Sequence, residues 1–193
     1  MENSTIKCIK ERRSVRKYKE KQISPEELAA LLEAAIWAPN GTNNQSWLFT
    51  AIQSKDVLLG LNKVVRQAFL DWEADDAYPM IKSAKARAAS ESYNFYYHAP
   101  TLIIASNVPG YQNAMADCAA GLQNILLAAQ SLGLGSCWVN QPRWLSGNKN
   151  LRDFLAELGL PKEHVICGSA AVGLADAVPP PPKRKDGTTL IIH

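Results

Sequence analysis

Apolar residues recur at Leu28, Leu31, Leu32, Ala35 and Ile36, the spacing that lines one face of a helix. Ser24-Pro25-Glu26-Glu27 stands just before them: an N-cap serine, proline at the first helical position and glutamate at the third. Pro39 closes that segment. Trp47 to Ile52 is a short, aromatic-rich apolar run and predicts a strand. Asp56 to Phe69 follows with Leu58, Leu61 and Val65 at helical spacing. Residues 71–95 are polar and alanine-rich and fit either a helix or a mobile excursion. Thr101 to Ala105 then reads as a buried strand.

The longest helical period runs from about Asn113 to Leu132, through Met115, Cys118, Ala119, Leu122, Ile125, Leu126 and Ala129. Small residues on its other face (Ala120, Gly121, Ala128) predict burial nearly all round, with a second subunit among the candidate neighbours. Gly133 suits its C-cap. Ser136–Asn140 predicts a strand, Leu151–Leu158 a helix and Val165–Gly173 a strand. Pro179 to Pro182 forms a stiff spacer that cannot enter a sheet interior. It carries Lys183-Arg184-Lys185 and then a β-prone tail, Thr188 to Ile192, an arm built to reach another surface. The irregular mixing of helices and strands favours an α+β class over a doubly wound one.

Composition narrows this picture only modestly. A chain of 193 residues fits one domain with a substantial core, and 47% apolar with 20% charged residues reads as globular. A net charge of +3 does not demand a polyanionic partner, and no nucleic-acid-binding motif accompanies the basic runs. Cys8, Cys118, Cys137 and Cys167 are too widely spaced for a zinc or iron–sulfur site, and no metal is expected. The three histidines are far apart and read as packing or surface residues. With no signal segment and no long apolar run, the expectation is a cytoplasmic protein without membrane contact.

Two segments carry chemistry. Arg12-Arg13-Ser14-Val15-Arg16 sets three guanidiniums around a hydroxyl; a solvated face is the ordinary reading, but guanidinium forks suit phosphate. A second basic cluster on the proline arm can converge on the same anion. Asn40, Gly41, Thr42, Asn43, Asn44 and Gln45 form a turn-like run. Its side-chain amides offer both donors and acceptors, as a pyrimidine-like ring edge requires. Turn chemistry explains Asn40 and Gly41 but gives no reason for Gln45. Together the segments point to flavin mononucleotide (FMN). Gly133-Leu134-Gly135 is no dinucleotide fingerprint: Trp138 stands where a third glycine belongs, and the pair follows a helix instead of a strand.

At these residues the chain resembles the nitroreductase family of FMN-dependent oxidoreductases. Arg12 to Arg16 is similar to the family's Arg-x-Ser-x-Lys/Arg motif, and Ala38-Pro39 through Asn43-x-Gln45-x-Trp47 to its amide loop. Asp117 through Trp138 and the terminal Pro182-Lys183-Arg184-Lys185 are also similar. Asn40 stands where the family usually has serine, and Ser46 where it has proline. The resemblance implies a single nitroreductase-like FMN-binding domain over residues 1–193, a mixed, mainly antiparallel sheet flanked by helices. It also implies a homodimer whose 179–193 arms are exchanged, with FMN at the subunit interface. Arg12, Arg13 and Ser14, with Lys183, Arg184 or Lys185, would hold the phosphate, and Arg16 would lie near N1 and O2. Asn43 and Gln45, with Asn40 in the same loop, would come from the other subunit, and the backbone at Val139 and Asn140 would approach N5.

The implied activity is reduction of the flavin by NADH or NADPH, then of a small-molecule acceptor such as a nitroaromatic or quinone, by ping-pong kinetics. Arg16 would support the reduced flavin, and no catalytic side chain is required. The alternatives are a flavin store or sensor without turnover, family chemistry of another kind such as dehalogenation or dehydrogenation, and a basic nucleic-acid-binding module. Residues 71–97 and 107–114, with Tyr93, Phe95, Tyr96 and Tyr111, are expected to wall the substrate pocket.

Overall fold

The computed structural model describes residues 2–73 and 79–192. His193 and part of the 71–95 stretch lie outside them. In chain order the elements are α1 (Ser4–Glu11), α2 (Pro25–Ile36), β1 (Leu48–Ile52), α3 (Lys55–Asp71), α4 (Pro79–Ala88), β2 (Thr101–Asn107), α5 (Ala114–Ser131), β3 (Gly135–Val139), α6 (Gln141–Trp144), α7 (Lys149–Glu157) and β4 (Val165–Gly173).

The strands form one sheet in the order β1-β2-β4-β3, with every pairing antiparallel. Among the described residues the one parallel contact is an isolated bridge, Ser14 beside Ser136 on β3. All seven residues of β2 are buried, so its alternation divides two cores instead of separating core from solvent. Leu102 and Ile104 pack with Leu61, Val65, Phe69, Leu151 and Leu155 of α3 and α7. Ile103 and Ala105 pack with Leu31, Leu122 and Ile125 of α2 and α5. The result is an antiparallel sheet between two helical layers.

Local chemistry sets the ends. At α2 the Ser24 hydroxyl accepts from the Glu27 N–H (3.1 Å), and the Glu27 carboxylate accepts from the Ser24 N–H (2.6 Å), a complete capping box. At the end of α5 the Leu134 N–H reaches the Ala129 carbonyl (2.8 Å) and the Gly133 N–H the Gln130 carbonyl (3.2 Å). Gly133 has φ +74°, the left-handed turn of a Schellman cap.

Gly135 does something different. A Cβ there would lie 2.9 Å from Val15 Cγ1, so its bareness lets residues 14–16 lie against β3. The two glycines that imitate half a nucleotide fingerprint are thus a helix stop and a close backbone approach.

The α5 expectation holds in part. Its neighbours α1, α2, β2, β3 and β4 cover much of it, including Gly121 on the small-residue face, while Met115 stays exposed. The β-prone tail is not a strand in the chain alone: residues 188–192 pair with nothing, and Leu190, Ile191 and Ile192 are 85%, 74% and 86% exposed. A strand needs an edge to pair with, and no edge of this sheet meets the tail. The α1 helix was absent from the sequence expectation; it is short and buries no residue.

Candidate functional site

Residues 12–18 are fastened by backbone to β3 and to the residues that follow β4. The Val15 N–H donates to the Ser136 carbonyl (2.9 Å), and a second bridge joins Tyr18 to Ala175. The Tyr18 hydroxyl, inside this seam, donates to the Val15 carbonyl at 2.7 Å and lies 3.3 Å from that of Ala171. Burial pushes its pKa well above the ordinary tyrosine value, so the phenol stays a donor.

This seam aligns Arg12, Arg13, Ser14 and Arg16 along one wall of a cavity of about 310 Å³. Pro179, Pro180, Pro182 and Arg184 of the arm form the opposite wall. The chain therefore brings its two basic clusters together, with Arg184 reaching the cavity that Lys183 and Lys185 do not line. Among the described residues none of these four arginines has a carboxylate partner. Four guanidiniums and a hydroxyl around one small space, without an acid, form a donor set suited to a phosphate dianion.

Each arginine is placed differently. Arg13 Nη1 donates to the carbonyls of Lys10 (2.6 Å) and Arg12 (2.8 Å), which caps the end of α1. Arg16 lies over the Tyr97 ring, 5.7 Å from its centroid, and its Nε donates to the Tyr97 hydroxyl at 3.4 Å. That hydrogen bond raises the guanidinium's pKa, against the effect of its partial burial. Tyr97 and His98 both hold positive φ, +57° and +56°. Two adjacent non-glycine residues in that region mark stored strain, and it points the Tyr97 ring at Arg16. Sequence reading missed this pairing, because no residue type signals a left-handed Tyr-His pair. Cys137, behind Ser14, is buried and its thiol is pushed up despite the pull of Arg16, so it is no nucleophile.

The amide loop is built from its own side chains. Asn40 Oδ1 accepts from the Gln45 N–H (3.0 Å), and Gln45 Nε2 donates to Asn43 Oδ1 (3.1 Å). The Gly41 N–H donates to the Asp117 carboxylate on α5 (3.2 Å), and Tyr111 donates to the same carboxylate (2.9 Å). Thr42, Asn43 and Gln45 all have positive φ (+53°, +55° and +48°). Asn40 thus has a structural task, while the Asn43 and Gln45 amides lie exposed. Tyr111, expected in a substrate wall, is an anchor of this loop.

The sheet keeps the two segments apart. Leu48, which follows the loop, pairs with Ser106 near one end of the sheet on the β1 edge. Ser14 bridges Ser136, level with Val172 at the other end, on the β3 edge. With three strand spacings of about 4.8 Å between them, the corners are at least ~14 Å apart before the diagonal is counted. One chain does not bring Arg12–Arg16 and Asn43–Gln45 into one site.

Val139 and Asn140 close β3 on the Arg16 side. The Val139 carbonyl accepts from Ser169 Oγ (2.8 Å), and the Asn140 side chain accepts from Trp138 Nε1 (2.6 Å). The Val139 carbonyl and the Asn140 side-chain oxygen are thus both engaged within the chain. Beyond Arg16 a second cavity, about 460 Å³, is bordered by Arg87, Ser90, Tyr93, Asn94, Tyr97 and Gln141.

The sequence matches the model of the nitroreductase family over residues 9–174. The chain belongs to the nitroreductase family. Its fold agrees with a nitroreductase with bound FMN from Bacteroides fragilis, at 40% identity and a TM-score of 0.91, each chain covered in full. A nitroreductase with bound FMN from Desulfitobacterium hafniense is 28% identical with a TM-score of 0.85, again over the whole of both chains. A protein of Archaeoglobus fulgidus, provisionally named NADH dehydrogenase/NAD(P)H nitroreductase, is 30% identical over 87% of this chain and 83% of its own length. The arm and its basic cluster lie beyond the residues that match the family. Among the described residues no three His, Cys, Asp or Glu could hold a metal, and no helix is long and apolar enough to cross a membrane.

Proposed function

We propose that this chain is an FMN-dependent NAD(P)H oxidoreductase that works as a homodimer with two sites between its subunits. The observation that carries the reading is the cavity in which Arg12, Arg13, Ser14 and Arg16 meet Arg184 with no acid among the described residues to neutralise them. Bound FMN would supply the hydride chemistry, accepting two electrons and a proton at N5 from NADH or NADPH and delivering them to a nitroaromatic, quinone or similar acceptor by a ping-pong cycle.

The chain's own residues do the rest. Arg12, Ser14 and Arg184 hold the phosphate, and Arg13 fixes the end of α1 that presents them. Arg16, kept cationic and oriented by Tyr97, stands where negative charge collects around N1 and O2 on reduction. The Val139–Asn140 backbone faces N5. Asn43 and Gln45 come from the second subunit, which the diagonal placement of the two corners favours. Ile36 (55% exposed) and Trp37 (75% exposed) offer apolar surface for that subunit to cover, and the exposed tail offers more. Four free cysteines and a nicotinamide reductant suit a cytoplasmic location.

The test is an absorbance spectrum of the purified protein, then stopped-flow reduction with each nicotinamide and reoxidation by 4-nitrobenzoate or a quinone. A colourless protein that takes up no added FMN removes the reading. Reduction without reoxidation by any acceptor turns it into a flavin store. Arg16→Ala is expected to lower the two-electron midpoint potential by about 30 mV or more, while FMN affinity falls less than tenfold. A potential equal to the wild type's removes the role given to Arg16.

A further inference from the structure

Tyr97 and His98 hold left-handed backbone, with φ +57° and +56°. Two consecutive non-glycine residues stay there only where their surroundings over-determine them. One side chain supplies that hold. Asn94 Oδ1 accepts from the Tyr96 N–H (3.2 Å) and from the His98 N–H (2.9 Å), and its Nδ2 donates to His98 Nδ1 (3.3 Å). An Asx turn needs only the first of these bonds. The two to His98 close the clamp on the far side of Tyr97.

The clamp is itself anchored. Asn62 on α3 donates from Nδ2 to the Tyr93 carbonyl (2.9 Å) and accepts at Oδ1 from the Phe95 N–H (3.1 Å). Phe95 is 1% exposed and belongs to the core cluster of Leu61, Val65 and Leu102. Past the clamp, the Ala99 N–H donates to the Tyr96 carbonyl (3.1 Å). Asn94 therefore stands on fixed backbone and passes that fixity to Tyr97.

Arg16 is what Tyr97 meets. The guanidinium lies 5.7 Å from the ring centroid and donates from Nε to the hydroxyl. Its other bond is a long one, from Nη1 to the Ser14 carbonyl (3.3 Å), and among the described residues no acid pairs with it. An exposed arginine on a flexible stem stabilises developing charge well only when something else fixes its direction.

We propose that Asn94 is a positioning residue, which holds Tyr97 against Arg16 and thereby sets how strongly that guanidinium stabilises the reduced flavin. The effect on the flavin rests on the reading above; the hold on Arg16 does not. With its oxygen given to two backbone N–H groups, Asn94 acts through the turn and not as a ligand of the cofactor.

Two readouts test it. The first is the NMR spectrum of the full chain, with FMN and after its removal. The Tyr97 ring should move the Arg16 side-chain proton resonances upfield, and Tyr97→Ala, by abolishing that displacement, assigns it. Asn94→Ala should cut it by about half or more. Asn94→Ser, whose hydroxyl replaces the carboxamide only weakly, should fall between wild type and alanine, and it carries the same comparisons if Asn94→Ala does not fold. The second readout is the two-electron midpoint potential with FMN bound. Asn94→Ala should lower the flavin's reduction equilibrium by about threefold, or about 15 mV, and by nothing measurable in a Tyr97→Ala background. Adding His98→Gly to Asn94→Ala should restore part of both signals, because glycine takes φ near +56° without strain.

Arg16 resonances unchanged in Asn94→Ala overturn the proposal. So does an equal fall in potential in the Tyr97→Ala background, since Asn94 then acts on the flavin directly. Displaced resonances with an unchanged potential overturn the link to the flavin. A protein that takes up no FMN removes the flavin reading, and the resonances alone then decide whether Asn94 positions Arg16.

Discussion

The two corners of the sheet solve opposite problems. At the β3 edge, residues 12–18 are held by backbone bonds and bridges, and their side chains point cations at the chain's own arm. At the β1 edge, the side chains of the 40–47 loop bond to one another and to Asp117, and what remains exposed is amide. The first corner is a cavity looking for an anion; the second is a rigid knob with nothing opposite it. A cavity and a knob at diagonal corners do not meet within one chain; in the proposed homodimer they would meet across a two-fold axis. The cationic half is intramolecular, and on the proposed reading the amide half serves a second subunit.

Subunit mixing breaks that comparison most sharply. Arg12→Ala and Gln45→Ala each damage both sites of their own homodimer. Co-expressed, they form heterodimers in which one site carries both lesions and the other carries neither. Purified heterodimers should recover about half the wild-type activity and one FMN per dimer. Heterodimers as inactive as the parent variants would place both segments in one subunit's site.

The next effect sharpens the cationic half. Arg184 lines the cavity and its two neighbours do not. Arg184→Ala should weaken FMN binding by about tenfold or more, and Lys183→Ala by about twofold, measured by flavin fluorescence quenching. Equal losses would mean that the arm acts through general charge and not through one guanidinium.

A pair of glycines separates site from fold. Gly135→Ala puts a methyl 2.9 Å from Val15 Cγ1, so the 14–16 seam must move. The expected cost is about 1–3 kcal/mol of stability together with weakened FMN affinity. Gly133→Ala meets no atom within 4 Å but forces alanine to φ +74°. It should cost about 1 kcal/mol and leave FMN affinity alone. Denaturant midpoints and FMN titrations read both. If Gly133→Ala weakens FMN as much as Gly135→Ala does, the close approach is not what shapes the site.

The elements were legible where one local rule governs them. Val165–Gly173 was bounded correctly from its apolar run, and Ser24 to Glu27 gave the start of α2 because every residue of a capping box is local. What escaped the sequence depends on distant partners or on strained backbone. The four-residue α6 is too short to show a period, and α1 buries nothing that would impose one. Tyr97 and His98 adopt left-handed φ against their own propensity, and only the packed turn before β2 holds them there. The same holds at the site. Arg12 to Arg16 was readable as a cationic cluster, whereas which residue of the arm meets it, Arg184, depends on where the fold lays the arm.

Tyrosine titration gives the smallest effect, and it falls on one corner. Tyr18 ties the cationic segment to β4 through the Val15 and Ala171 carbonyls. Its folded pKa is raised by burial, so the contribution of its protonated form is complete below the unfolded tyrosine value of about 10. Above that pH the unfolded chain loses the proton while the folded chain keeps it, and stability falls at about 1.4 kcal/mol per pH unit for this one group. Tyr18→Phe should cost about 1 kcal/mol at neutral pH through the lost hydrogen bond, and flatten the decline above pH 10 by that slope. Other buried tyrosine and cysteine groups share the alkaline decline, so the difference between the two proteins is the quantity to measure. Parallel curves for wild type and variant from neutral pH to 11 would mean that Tyr18 ionises freely in the folded protein. The seam beneath Arg12 to Arg16 would then lack its buried anchor.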